Sequence, residues 1–118
     1  MTLPLTKEML AAAYEFLLTT PPFNRWHLPD SEDIDWRIIK ARDRCGSASF
    51  SPTTNKFTVE ISSYRTRRTQ SLIELLAHEM IHLLEWKNKL YTKAEHSKAF
   101  HKLADEVCLI HGFDRGLF

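Results

Sequence analysis

The stretch Ser71-Leu72-Ile73-Glu74-Leu75-Leu76-Ala77-His78-Glu79-Met80-Ile81-His82-Leu83-Leu84-Glu85-Trp86-Lys87 settles most of what this chain can be. Leu72, Leu75, Leu76, Ala77, Met80, Ile81, Leu83 and Leu84 leave almost no polar face on a helix. A helix that is apolar on nearly all sides has to be enclosed by protein, so this segment is expected to be the central helix. Ser71 and Glu74 have the spacing of a capping box, in which the hydroxyl and the carboxylate each satisfy a free backbone N–H. The helix is therefore expected to open at Ser71 and to run to about Asn88.

Set into this apolar segment are His78, Glu79 and His82, in the pattern His-Glu-x-x-His. Positions i and i+4 lie one above the other on the same helix face, so two imidazoles at that spacing can grip one metal ion. Nitrogen ligands at about 2.0–2.1 Å suit zinc. Glu79 is offset from His78 by roughly 100° around the helix axis, too far round to be a further ligand from the same turn. It is near enough to reach water activated by the metal and to take its proton as that water attacks a peptide carbonyl. Two histidines that were merely structural would carry, with the carboxylate, a desolvation cost and no metal to offset it.

A catalytic zinc needs a third protein ligand and one open position. The candidates downstream are Glu95, His96, His101, Asp105, Glu106 and His111. Residues 96–111 read as the last helix, ending at Gly112, and His96, Phe100, Leu103 and Val107 follow one apolar stripe of it. That phase points His96 inward, while His101 shares a different face with Asp105 and Cys108. His96 is the preferred third ligand and Glu95 the runner-up, since some zinc peptidases use a carboxylate there. His101 and His111 read as surface or supporting residues, and His27 has no assigned role.

Upstream, residues 6–19 read as a helix capped by Thr6, with Leu10, Ala13, Tyr14 and Leu17 on one side. Pro21 and Pro22 end it, and residues 20–33 are expected to be a loop whose Trp26 plugs the core. Residues 34–41 begin with the strand alternation Ile34, Trp36, Ile38. Residues 46–51 and 56–62 read as two further strands. Pro52-Thr53-Thr54-Asn55 is the turn that makes those two a hairpin. The fold expected is α+β: an N-terminal helix, a small three-stranded antiparallel or mixed sheet, the central helix and a C-terminal helix.

The 118 residues suffice for a single domain with one modest core. No apolar run approaches the roughly 18 residues of a membrane span, and no signal peptide is evident, so the expected location is the cytoplasm. Cys45 and Cys108 are not arranged as a C-x-x-C pair, which excludes a zinc ribbon, and both are expected to be buried free thiols. The net charge of +1 does not advertise nucleic-acid binding. Local groups do stand out, with Arg65, Arg67 and Arg68 together and Arg37, Lys40, Arg42 and Arg44 nearby. They read either as a solvated face or as a patch contacting phosphates.

The segment from Leu72 to Lys87 resembles the active-site helix of SprT-like domains, the zinc metallopeptidase family that includes the DNA-dependent protease Spartan. His96-Ser-Lys-Ala-Phe100 is similar to that family's His-Gly-x-x-Phe/Trp element, and Cys45-Gly46-Ser-Ala with the strand after it resembles the hairpin before its metal helix. The likeness spans about residues 5–110. It implies a zincin-like minimal metallopeptidase with one Zn2+ per chain. It implies His78, His82 and His96 as ligands, Glu79 as the catalytic residue, and a hairpin whose outer strand receives the substrate as an added strand.

Ser97 departs from the family's usual glycine, a change compatible with a helix start, and a minimal form without the C-terminal zinc ribbon or DNA-binding extension is expected. The stabiliser of the transition state is not fixed by a motif; Tyr91, Tyr64 and His101 are the candidates. The partner expected is a protein or peptide substrate, with DNA and DNA-associated proteins as open partners and no membrane. Two readings compete with this one. One is a small His-Glu-x-x-His peptidase that cleaves a repressor. The other is a catalytically idle zinc domain that binds DNA or a partner protein, with Arg65, Arg67 and Arg68 as nucleic-acid contacts.

Overall fold

The structure is a computed structural model that describes residues 5–64, 69–89, 96–116 and 118. It is α+β, with three helices and a three-stranded mixed sheet among these residues. Helix α1 (Lys7–Leu18) starts as its sequence requires: the Thr6 hydroxyl accepts the backbone N–H of Met9 at 3.2 Å. Its buried side is Leu10, Tyr14 and Leu17. The residues after it are not featureless, for they contain 3-10 turns at Phe23–Arg25 and Ser31–Asp33. In that segment Phe23 is the fully buried side chain, and Trp26, expected to be the plug, is only partly buried against the core and edge-on to Phe23.

Strand β1 (Ile34–Ile39) is two residues shorter than its sequence suggested. Ile34 and Trp36 turn into the core as the alternation required. Trp36 meets Tyr14 edge to face, and its indole N–H donates to the Ser31 carbonyl at 3.0 Å. Tyr14 donates in turn to the Pro29 carbonyl at 2.5 Å, and burial pushes the phenol pKa well up, so it stays a donor. These two bonds let aromatic rings with polar tips lie in the core without orphaned groups.

Strands β2 (Gly46–Ser51) and β3 (Lys56–Ser62) form the expected hairpin, with Asn55 at φ 59° completing the turn. The sheet order is β1-β3-β2, with β3 central, parallel to β1 and antiparallel to β2. Gly46 enters β2 where no side chain fits, because a Cβ there would collide with the Glu60 carbonyl oxygen across the ladder. Cys45, just before it, is exposed rather than buried, since it ends the solvated loop between β1 and β2; Cys108 is buried, and both are free thiols.

Helix α2 (Thr69–Lys87) opens two residues before the expected start. Ser71 is therefore inside the helix and is not its cap. Thr69 and Gln70 carry nothing that stops a helix, and Glu74 takes the Gln70 side-chain amide at 3.1 Å across one turn, not a free backbone N–H. Leu72, Leu76, Ala77, Met80, Ile81, Leu83 and Leu84 are all buried, so α2 is the enclosed element the pattern demanded. The Trp86 indole donates to Ala48 O at 3.1 Å, tying α2 to the edge strand β2, and Lys87 donates to the carbonyls of Trp26 and His27.

Helix α3 (Lys98–His111) starts two residues later than expected. Ser97 is its N-cap, accepting the Phe100 N–H at 3.2 Å, and Gly112 ends it in the left-handed region at φ 76°. Phe100, Ala104 and Val107 join the same core as α1, β1, β3 and α2.

The tight crossing at Gly46 gives a direct test. Gly46→Ala is expected to lower stability by about 1–3 kcal/mol, the usual range for overpacking, measured by urea unfolding followed by circular dichroism.

Candidate metal centre

The three histidines of the sequence pattern meet. One ring nitrogen from each of His78, His82 and His96 lies within 4.8 Å of the other two, close enough to bind one metal ion. The Nε2 atoms of His78 and His96 stand 3.3 Å apart. Two nitrogens bonded to zinc at about 2.0–2.1 Å with a tetrahedral angle between them are separated by about 3.3 Å, so this pair fits such an ion without rearrangement.

In His78 and His82 the other ring nitrogen, Nδ1, is engaged by an acceptor, which leaves Nε2 for the cluster. His78 Nδ1 is 2.8 Å from the main-chain oxygen of Phe118. That oxygen only accepts, so Nδ1 carries the proton and Nε2 presents its lone pair. His82 Nδ1 lies 2.9 Å from Glu85 Oε1, and the second oxygen of that carboxylate accepts the Ser97 hydroxyl at 3.1 Å. Glu85 is 2% exposed. Burial pushes its carboxyl pKa up, and the Ser97 hydroxyl and His96 pull it part of the way back. Acceptors behind metal-facing imidazoles orient the ring and raise its basicity toward a metal.

His96 reaches the cluster by a route that differs from helical phase. It precedes α3 and is largely exposed, because Ser97 starts the helix one residue after it. Its ring is placed by stacking on Phe100, with centroids 4.2 Å apart and planes 9° apart. Phe100 also lies against His78 and His82, so one buried aromatic ring backs all three imidazoles.

Glu79 follows His78 in α2 and is buried, 3% exposed, and it is not part of the converging ligand set. His101 stands beside the cluster, its ring 6.1 Å from that of His96. Its Nδ1 accepts from Arg115 at 2.8 Å, and Arg115 also donates to Asp105 at 2.7 Å. A guanidinium only donates, so the proton of that imidazole is on Nε2. Tyr64 is engaged elsewhere, under the Arg42 guanidinium at 5.0 Å from the ring centroid. His111 bonds the Pro21 carbonyl at 2.8 Å and the Thr20 hydroxyl at 3.2 Å and is not in the converging set. Arg65, Arg67, Arg68, Tyr91 and Glu95 lie outside the described residues. Of the second basic group, Arg37 and Arg44 are paired with Asp35 and Glu60.

A model of the SprT-like family matches residues 18–114, a span that holds all three histidines, Glu79 and the hairpin. The chain belongs to the SprT-like family. No curated protein matches it. Glu85, Ser97 and Phe118 support the histidines; sequence reasoning gave Ser97 only a helix start and assigned nothing to Glu85 or Phe118. An acidic residue three positions after His82 in an otherwise apolar helix was the signal for Glu85. Phe118 gave none, since its partner is 40 positions away.

Because the Phe118 main-chain oxygen holds His78 Nδ1, deleting residues 117–118 is expected to weaken binding of added zinc about tenfold. Competition with a chromogenic chelator measures this.

Proposed function

We propose that this chain is a zinc-dependent metalloendopeptidase of the SprT-like type, with a zincin-like site in which His78, His82 and His96 hold the metal and Glu79 is the general base. The observation that carries the reading is the convergence of three imidazoles, two of them with Nδ1 held by an acceptor so that Nε2 faces the common point. Family membership supports the same chemistry. A purely structural site has no use for a carboxylate at position 79.

Bound zinc supplies Lewis acidity, polarising a carbonyl oxygen and making water acidic near neutral pH. The residues of the chain do the rest. Glu79 takes a proton from the attacking water and returns it to the leaving amine. Its burial keeps bulk water from competing for that carboxylate. His101, with Nε2–H as donor, is the described candidate for holding the negative charge that develops on the carbonyl oxygen. The substrate is an extended protein segment added along the outer side of β2, the edge strand that Trp86 ties to α2. DNA-associated proteins are the substrate class that the family likeness suggests.

Glu79→Gln is expected to keep one zinc per chain while its cleavage of an unfolded protein substrate falls at least about a thousandfold, given what general-base catalysis contributes together with a preorganised site. A gel-based cleavage assay with parallel metal analysis decides it; undiminished cleavage by that variant removes the proposal. His96→Ala is expected to lose the bound zinc in the same metal analysis.

A further inference from the structure

We propose that Glu85 and Ser97 form a clamp that fixes the metal-facing tautomer of His82 and holds the turn bearing His96 against α2. The clamp rests on the zinc reading above, and both members are positioning residues.

Glu85 lies one turn beyond His82 on α2, and its carboxylate is buried with an acceptor role toward each side. Oε1 receives the His82 Nδ1–H at 2.9 Å, which leaves Nε2 of that ring as the only nitrogen with a lone pair for a metal. Oε2 receives the Ser97 hydroxyl at 3.1 Å. That hydroxyl has one proton and two lone pairs, and it uses both functions: it donates to Glu85 and accepts the Phe100 N–H at 3.2 Å.

The consequence is geometric. His78 and His82 come from α2, but His96 comes from the segment before α3, so the ligand set is only as well placed as those two elements are relative to each other. The Glu85–Ser97 bond spans that junction one residue after His96. The same Ser97 starts α3 and so sets Phe100, the ring on which His96 stacks. A glycine at position 97 could still start the helix but would leave Oε2 buried without this donor. A carboxylate, an imidazole and a hydroxyl linked in series inside an apolar helix packing are costly to bury unless each is satisfied, and here each is.

The test uses the full chain as wild type, Glu85→Leu, Glu85→Gln, Ser97→Gly and the Glu85→Leu/Ser97→Gly pair. Zinc dissociation constants come from chelator competition. The tautomer of His82 in the metal-free protein comes from long-range nitrogen–proton NMR of its imidazole. Glu85→Leu is expected to weaken zinc binding about 10- to 100-fold and to abolish the Nδ1–H form of His82. Ser97→Gly is expected to weaken binding by up to about tenfold, and the pair no more than Glu85→Leu alone, because both act through one carboxylate. Glu85→Gln, which keeps the side-chain volume if the leucine variant does not fold, is expected to weaken binding about tenfold. Zinc binding within twofold of wild type in the Glu85 variants, with His82 still in its Nδ1–H form, overturns the clamp. A wild type that binds no zinc overturns the zinc reading instead. The clamp then stands or falls on the NMR result alone: loss of the Nδ1–H form in Glu85→Leu supports it, and retention overturns it.

Discussion

Everything in this structure turns on placing polar groups inside a helix that has no polar side. Helix α2 is buried along most of its length, yet it carries His78, Glu79, His82 and Glu85. A buried imidazole or carboxylate without a partner costs more than a typical net hydrogen bond returns. The fold meets that demand with acceptors brought from far along the chain, the Phe118 main-chain oxygen for His78, and from one turn away, Glu85 for His82. Satisfying Nδ1 of His78 and of His82 leaves their Nε2 atoms for the cluster, so the bonds that satisfy the core also suit a metal ion.

The rest of the architecture serves that helix. The mixed sheet covers one side of it, with β2 tied to it through Trp86 and Ala48, and α1 and α3 complete the enclosure through Tyr14, Leu17, Phe100 and Val107. No helix among the described residues is long and apolar enough to cross a membrane. Phe100 links fold to site most closely: it is a core residue by burial and at the same time the platform for all three imidazoles. The SprT-like match runs from Leu18, the last residue of α1, to Asp114 just after α3, and so takes in the sheet, α2 and α3.

Local pattern made much of this readable in advance. The i, i+4 pair His78 and His82, the Thr6 cap, the alternation in β1 and the hairpin turn at Asn55 are short-range features, and short-range physics sets them. Four things were not readable for identifiable reasons. The start of α2 was misplaced because Ser71 and Glu74 match a capping box, while Thr69 and Gln70 are equally able to be helical and the helix simply continues through them. Helical phase gave His96 an inward position on α3, but Ser97 is a better N-cap than His96 is a helix residue, so the ring is placed by a stack on Phe100 instead. The parallel pairing of β1 with β3 and the Phe118–His78 bond depend on contacts between distant segments, which no local pattern encodes.

The proposed centre is one ion held by three imidazoles, and X-ray absorption at the zinc edge of the metal-loaded chain reads that directly. It should show three imidazole nitrogens and one further light atom at about 2.0–2.1 Å. A sulfur at about 2.3 Å, which would bring in Cys45 or Cys108, or a shell with only two imidazoles, would contradict it.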